Sequence, residues 1–253
     1  RTASALRMPS ILAVMGCESN STNATPPSPG IAPGAETIDV RAFARGYTVD
    51  PRIPEAIPGY DAPFFQAGLA GYSDAAMRLI ARRHGCPACV TEALLDRTLL
   101  GGGRGFVKAD LGDIAENVPG GSEDHPLIGQ IMGAEPDEMA AAAVKMVEQG
   151  KRPPKEYRDL RERGVSADEA EHVETGARTF AAIDVNLACP VKKIRTKARG
   201  GHWLREPDGA IEILRAVREA LPSDIPTTVK MRRAFEDTPE AEANFYRIFD
   251  AAY

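Results

Sequence analysis

Cysteine is scarce in this sequence, and the few cysteines present are unevenly spaced. The 253 residues include four of them, Cys17, Cys86, Cys89 and Cys189, which do not fit the disulfide framework of a small secreted domain. Long apolar runs are also missing, so no segment predicts a membrane-spanning helix. The sequence has no phosphate-binding loop, no cluster of metal ligands and no hydrolytic triad. We therefore expect a protein without a metal site, in a reducing compartment, and predict a cytoplasmic location.

The pair Cys86-Pro-Ala-Cys89 has the spacing of a metal or redox motif. A zinc site needs a second pair of cysteines or suitably spaced histidines, and neither is present. The pattern therefore favours small residues that open a buried strand.

The N-terminal stretch "MPSILAVMGCESNS" leaves a second location open. Its apolar run ends at Gly16-Cys17 and resembles a bacterial lipoprotein signal, with Cys17 as the lipidated residue. The run is short and the sequence opens on Arg1. A disordered leader or a misassigned start is therefore the favoured interpretation, with a lipid anchor as the alternative.

Composition divides the chain into two parts. Residues 1–60 are low in apolar periodicity, and from residue 17 onward they are rich in Ser, Asn, Pro and Gly; we predict a flexible leader there. From residue 61 to 253, short apolar runs alternate with helical patterns, which indicates parallel βα units and an α/β domain. Residues 151–179 interrupt this alternation with a highly charged stretch, predicted to be an exposed insertion.

In a parallel barrel the working residues lie at the carboxyl ends of the strands. The predicted strands end in "QAGLAGYSD", "VTEAL", "GQIMG", "DVNLACP" and "VKMRR". They bring two amides (Gln130 and Asn186), a thiol (Cys189) and a cation (Lys230) to one edge. Glycine-rich strand ends also let a flat ligand lie close to the backbone.

These strand ends resemble those of the tRNA-dihydrouridine synthases, flavoenzymes built on an FMN-binding (β/α)8 TIM barrel. "IDVNLACPVKK" is similar to the family's Asp-x-Asn-x-Gly-Cys-Pro signature, "TEA" to its Thr-Glu-Met, "GQIMG" to its Gln-Leu-x-Gly and "TVKMR" to its Thr-Val-Lys-x-Arg. Each motif is weak alone, but four in the family's order are specific. The resemblance runs from about Pro63 to about Arg232.

The resemblance implies reduction of the C5=C6 bond of uridine in tRNA, with FMN as cofactor and NADPH as electron donor. Cys189 matches the family's catalytic acid, a role that positive charge near a thiol favours. Lys230 and Gln130 match residues that contact the flavin, and Asn186 would lie between flavin and uracil. The backbone at Ala67, Gly68 and Leu69 would line the flavin, although the family usually reads Ala-Pro-Met-Ala there.

A basic stretch follows Cys189 although the whole chain has a formal net charge of -5. A local patch is enough to bind RNA, because each phosphate contact releases counterions. We expect this loop to contact tRNA phosphates, with a merely solvated loop as the alternative. Its predicted contacts are Lys192, Lys193, Arg195, Lys197 and Arg199, and Arg205 follows them.

Two departures from the family pattern leave other functions open. His202 and Trp203 replace small residues and leucines, and could stack on RNA or pack in the core. The sequence stops after the fifth βα unit, from which we expect a partial barrel with exposed edges and poor stability. The alternatives are another FMN barrel oxidoreductase acting on a small pyrimidine, similar to dihydroorotate dehydrogenase, and a non-catalytic remnant.

Overall fold

The computed structural model describes residues 11–15, 49–69, 71–101, 122–149, 180–234 and 236–253. The predicted insertion at 151–179 lies outside the described residues, as does Cys17. Of the helices in the described part of the chain, none combines the length and the apolar character needed to cross a bilayer.

Six strands and seven α-helices form the described structure. The strands are β1 (Ile11–Met15), β2 (Cys89–Val90), β3 (Leu94–Leu95), β4 (Leu127–Met132), β5 (Ala182–Asn186) and β6 (Thr227–Met231). The helices are α1 (Arg52–Ala56), α2 (Ala75–Arg83), α3 (Asp96–Leu99), α4 (Pro136–Gln149), α5 (Lys192–Arg195), α6 (Pro207–Ala220) and α7 (Pro239–Ala252). Short 3₁₀ turns lie at Ser122–Asp124 and Gly200–Arg205.

All strands belong to one parallel sheet of order β1-β6-β5-β4-β2, with β3 also paired to β4. Helices follow the strands along the chain, as they do in part of a (β/α)8 barrel, so the predicted fold class is confirmed. The first predicted strand, at 63–69, is reduced to one parallel bridge between Gln66 and Cys89.

One face of the sheet, the outer face, is apolar and covered by helices. It carries Ile131, Ile183, Val185 and Val229, all fully buried. These side chains share one core with residues of α4, α6 and α7, including Met139, Met146, Ile213, Val217 and Ile248. Burial of a large aliphatic side chain contributes about 1.5–3 kcal/mol, so this face stabilises the βα units.

The opposite, inner face has a smaller apolar cluster near the amino ends of the strands. Ile128 and Ala182 pack there with Ile57 and Tyr60, which follow α1. Ile57 is 0% exposed and Tyr60 is 2% exposed. These two side chains close that end of the inner face, so the predicted boundary between leader and domain at residue 60 is not seen.

Strand β1 also comes from the predicted leader. It pairs with β6 in parallel, with Ile11 beside Thr227 and Met15 beside Met231. The apolar run at 11–15 therefore satisfies the free edge of β6 instead of remaining without regular structure. This pairing is long-range, which is why composition at the N-terminus did not reveal it.

Candidate functional site

The carboxyl ends of β4, β5 and β6 bring the predicted polar residues together on the inner face. In the parallel register Gln130 lies beside Asp184, Asp184 beside Thr228, and Asn186 beside Lys230. Because side chains alternate along a strand, residues 184 and 186 point to the same side. The structure thus places Gln130, Asn186 and Lys230 at one edge, as the strand-end prediction required.

Buried side chains connect these strands through a continuous series of hydrogen bonds, which we call the relay. The Thr228 hydroxyl donates to Asp184 Oδ1 at 2.6 Å, and Gln130 Nε2 donates to Asp184 Oδ2 at 2.7 Å. Asn186 Nδ2 donates to Gln130 Oε1 at 2.8 Å. The backbone N–H of Gln130 in turn donates to Thr91 Oγ1 at 3.0 Å. Each of the two amides therefore has a fixed orientation.

The relay ends at the turn that carries Cys189. Asn186 Oδ1 accepts hydrogen bonds from the backbone N–H groups of Ala188 and Cys189, each at 3.0 Å. The carbonyl oxygen of Cys189 accepts from the N–H of Gly201 at 3.0 Å. The thiol residue itself is half-buried at the end of β5, where a small side chain can still reach a ligand.

Gly200 allows this turn to pack closely. Its φ of 56° lies in the left-handed region, and a Cβ there would come within 2.8 Å of Cys189 Cβ. A residue with a side chain would therefore be strained and would also displace the thiol. The glycine after the basic stretch is a local requirement of the Cys189 position.

Asp184 is the most perturbed acid of the site. It is 4% exposed, and this burial raises its pKa to about 6, against the lowering effects of hydrogen bonds from Thr228 and Gln130 and of the Lys230 charge. No ion pair to the described residues neutralises this carboxylate within salt-bridge distance. Titratable groups whose pKa is strongly perturbed by burial cluster at functional sites.

Lys230 lies half-buried at the end of β6, next to Asn186 in the register. No hydrogen bond or ion pair to the described residues holds its ammonium group. A cation at a strand end is therefore available to a ligand above the edge.

The segment predicted to line a cofactor approaches the relay at Gly68. A Cβ at Gly68 would overlap the carbonyl oxygen of Thr91 and would lie 3.5 Å from Gln130 Oε1. Any other residue, including the proline usual in the family, would push this backbone away. Gly68 therefore brings main chain close to Gln130, and the neighbouring Leu69 is half exposed. Ala70 lies outside the described residues.

The basic stretch divides into two groups. Lys192, Lys193 and Lys197 are exposed and Arg195 is half-buried. Arg199 differs, because it is only 8% exposed and forms an ion pair with the buried Asp96 at 3.5 Å. Its guanidinium is directed at protein, so it does not share the solvent-facing position predicted for a phosphate contact. Arg205 is exposed and pairs with Glu236.

The structure decides the position of Trp203. Its Nε1 donates to the carbonyl oxygen of Gly133 at 3.3 Å, and its ring packs against Gly209 and the outer core. His202 contacts the same ring edge-to-face, with centroids 5.1 Å apart. Of the two roles predicted for this tryptophan, the structure supports packing.

Cys86 and Cys89 lie at the start of β2, away from the relay. Both are free thiols, and a hydrogen bond with Cys89 lowers the pKa of Cys86 to about 7. The same contact and burial raise the pKa of Cys89. No group of three or more potential metal ligands occurs among the residues that the structure describes.

Asp184 and Thr228 are the site residues that the strand-end patterns did not single out. Both precede a predicted site residue by two positions, Asn186 and Lys230 respectively. A polar residue two places before another in a buried strand is a signal that both face the same side. That spacing could have identified them.

Comparisons with known proteins give independent information on the family. Residues 165–252 match the family described as Dihydrouridine synthase (Dus). The chain is 30% identical over 186 residues to tRNA-dihydrouridine synthase B of Pseudomonas putida, covering 74% of this chain and 44% of that protein. It is 31% identical to tRNA-dihydrouridine synthase B of Pseudomonas aeruginosa over 67% of this chain and 40% of that protein.

A shorter match has higher identity. Over 59 residues the chain is 41% identical to the tRNA-dihydrouridine(16) synthase of Pseudomonas syringae pv. tomato, which covers 23% of this chain and 19% of that protein. The chain spans less than half the length of these relatives. The family resemblance inferred from the four strand-end motifs is confirmed.

Proposed function

From the premise that this chain belongs to the dihydrouridine synthase family, we propose that it reduces the C5=C6 bond of uridine in tRNA, with FMN as cofactor and NADPH as reductant. The observation that carries the proposal is the turn at Cys189, which Asn186 holds at the same strand edge as Gln130 and Lys230. This arrangement puts a thiol, a cation and polar amides around one open edge.

The residues at this edge fit a flat, polar cofactor. Gly68 lets main chain approach Gln130 without a side chain between them, and the Lys230 ammonium forms no hydrogen bond or ion pair with the described residues. Gln130, Lys230 and the backbone of Ala67, Gly68 and Leu69 would hold the FMN ring. When bound and reduced, FMN would supply a hydride to C6 of the uracil.

Cys189 completes the reduction from the other side of the pyrimidine. Its S–H bond breaks as the proton moves to C5, so the uracil gains one hydride and one proton, and the thiolate takes a proton back from water. General acid catalysis of this kind contributes about 10²–10⁴-fold to a rate. Holding the thiol in place is the function of Asn186, which uses Oδ1 for the turn and Nδ2 for Gln130.

Gln130 and Asn186 have little capacity left for ligands. A carboxamide has two N–H bonds that can donate and two lone pairs that can accept. In the relay and the turn, each amide uses one N–H and at least one lone pair. One N–H of each remains for the flavin edge or the uracil. Their contribution is therefore mainly orientation, with one direct contact each.

The exposed lysines favour RNA over a small pyrimidine as substrate. Lys192, Lys193 and Lys197 follow Cys189 closely and face solvent, whereas a small-molecule oxidoreductase needs no such patch. An unpaired uridine in a tRNA loop reaches the site at low cost, because its base is already partly unstacked. A cytoplasmic location fits this substrate and the free thiols.

The proposal is tested with tRNA that lacks dihydrouridine. The purified protein is incubated with FMN, NADPH and this tRNA, and digested nucleosides are analysed by mass spectrometry for uridine that has gained two hydrogen atoms. A flavin absorbance spectrum of the purified protein tests cofactor binding separately. Flavin binding with reduction of free pyrimidines only would favour the small-molecule alternative, and absence of flavin binding would favour the non-catalytic remnant.

A further inference from the structure

The relay has a direction that a single residue imposes. An ionised carboxylate only accepts hydrogen bonds, whereas a carboxamide both donates and accepts. With Asp184 ionised, Gln130 must turn Nε2 toward it, which leaves Oε1 for Asn186. Asn186 must then present Nδ2 to Gln130 and Oδ1 to the N–H groups of Ala188 and Cys189.

We propose that Asp184 is a positioning residue for Cys189, because its carboxylate fixes the direction of the relay and thereby the amide oxygen that holds the 188–189 turn. The relay spans three strands, from Thr228 on β6 through Asp184 on β5 to Gln130 on β4 and back to Asn186. The importance of a fixed Cys189 for catalysis rests on the proposed function, whereas the hydrogen bonds of the relay do not depend on it.

A purely structural role does not explain a carboxylate here. An amide side chain at position 184 would fill nearly the same volume and accept a hydrogen bond from Gln130 without burying a charge. A buried charge without a close ion-pair partner is costly. An ionised carboxylate has no hydrogen to donate. It therefore excludes the reversed relay, in which position 184 would donate to Gln130 Oε1 and Gln130 Nε2 would donate to position 186.

The reversed relay can be built by exchanging two side chains. In Asn186→Asp alone, Gln130 lies between two carboxylates and can turn Nε2 toward only one of them, so Gln130 Oε1 faces the other carboxylate without a hydrogen between them. In the double variant Asp184→Asn/Asn186→Asp, the new amide at position 184 donates to Gln130 Oε1, and Gln130 Nε2 donates to the new carboxylate at position 186. Thr228 still donates to position 184, and the side chain at position 186 still accepts from the turn.

Amide hydrogen exchange of the peptide that contains residues 188 and 189 measures the turn directly. At pH 7.5 we expect this peptide to exchange about tenfold faster in Asn186→Asp than in the unchanged protein. Repulsion between Gln130 Oε1 and a carboxylate displaces the side chain at position 186 from the turn, and a tenfold factor corresponds to about one hydrogen bond. The double variant should return to within about threefold of the unchanged protein, because all its donors and acceptors are paired. Asp208→Asn, which makes the carboxylate-to-amide change of the double variant at an exposed position, should have no effect.

Each outcome of the exchange measurement either supports or overturns the positioning role of Asp184. Unchanged exchange in Asn186→Asp, or failure of the second substitution to restore slow exchange, overturns the proposal. If Asn186→Asp is not recovered folded, a folded double variant is the expected rescue, and two unfolded variants contradict it. The measurement needs neither FMN nor tRNA. Restored slow exchange in the double variant, together with no tRNA reduction by the unchanged protein, would reject the proposed function and leave the positioning role intact.

Discussion

The two faces of strand β5 have opposite characters within five residues. Ile183 and Val185 point outward and are fully buried among helix side chains. Asp184 and Asn186 point inward and are buried among polar groups that hydrogen-bond across three strands. The outer face therefore stabilises the fold, whereas the inner face orients chemical groups at a considerable desolvation cost.

This difference predicts that changes on the two faces separate stability from activity. Outer-face substitutions should lower the free energy of unfolding and leave the site geometry of the folded fraction intact. Substitutions of Cys189 and of the exposed lysines should instead lower tRNA reduction or tRNA binding and leave the free energy of unfolding little changed. Four experiments test this separation of stability from activity.

Replacement of Cys189 by Ala should have the largest effect on activity. We expect tRNA reduction to fall by about 10²–10⁴-fold, because the proton donor to C5 is lost. Single-turnover reduction of tRNA measures the rate, and flavin absorbance with urea unfolding checks that binding and fold persist. The matched control is Cys86→Ala, a half-buried thiol outside the site. Turnover that survives in Cys189→Ala rejects this residue as the acid.

Replacement of Ile183 by Ala should have the largest effect on stability. Removing a fully buried aliphatic side chain from a core costs about 2–5 kcal/mol in the free energy of unfolding. Urea denaturation followed by circular dichroism measures this loss. Ile80→Ala, at an exposed position, is the control and should change stability little. Equal losses in the two variants would contradict the outer face's role in stability.

Asp184 should make stability depend on pH. Its folded pKa of about 6 lies above the ordinary aspartate value of 3.8, so the folded state holds this proton where the unfolded state has lost it. Its contribution to the free energy of unfolding therefore falls as pH rises from about 4 to 6, by on the order of 3 kcal/mol. Above pH 6 Asp184 is ionised in both the folded and the unfolded state, so the free energy of unfolding does not change further through this group.

The matched variant is Asp184→Asn, which removes the titration. The charged and titratable groups that interact electrostatically with Asp184 are Lys230 on β6 and Tyr60 from the inner cluster. Urea midpoints at pH 4, 5, 6 and 7 for both proteins give the difference curve. A difference curve that is flat over this range would show that Asp184 is not the titrating group.

The basic stretch should give the smallest, salt-dependent effect. Replacing Lys192, Lys193 and Lys197 by Ala removes exposed charges, and we expect the slope of log affinity for tRNA against log salt to decrease by about 2. Fluorescence anisotropy at several salt concentrations measures it. Arg199→Ala should instead lower stability, because it leaves the buried Asp96 without its ion-pair partner. An unchanged salt slope in the triple variant would show that these lysines do not contact tRNA phosphates.

Local patterns predicted the strands of the site well. β4, β5 and β6 lie within the apolar runs identified from the sequence, because buried parallel strands require such runs. Gln130, Asn186 and Lys230 come together because the carboxyl ends of parallel strands share one edge. Arg199 shows the limit: its place in a basic stretch predicted solvent exposure, but its ion pair with Asp96 depends on a residue about one hundred positions earlier.

The N-terminal segment shows the same limit in another form. Its composition indicated a leader, whereas β1 pairs with β6 and Ile57 and Tyr60 fill the inner face. Short apolar pieces between Pro and Gly carry little periodicity, so only their distant partners decide whether they are buried.

Residues that are neighbours along the chain were enough to predict the parallel βα organisation, the family and the place of Cys189 shortly after a strand. The tertiary structure alone decided the relay from Thr228 to the Cys189 turn, the burial of Arg199 and the packing of Trp203. Each of these depends on hydrogen bonds or contacts between segments far apart in sequence, whose geometry no local pattern specifies.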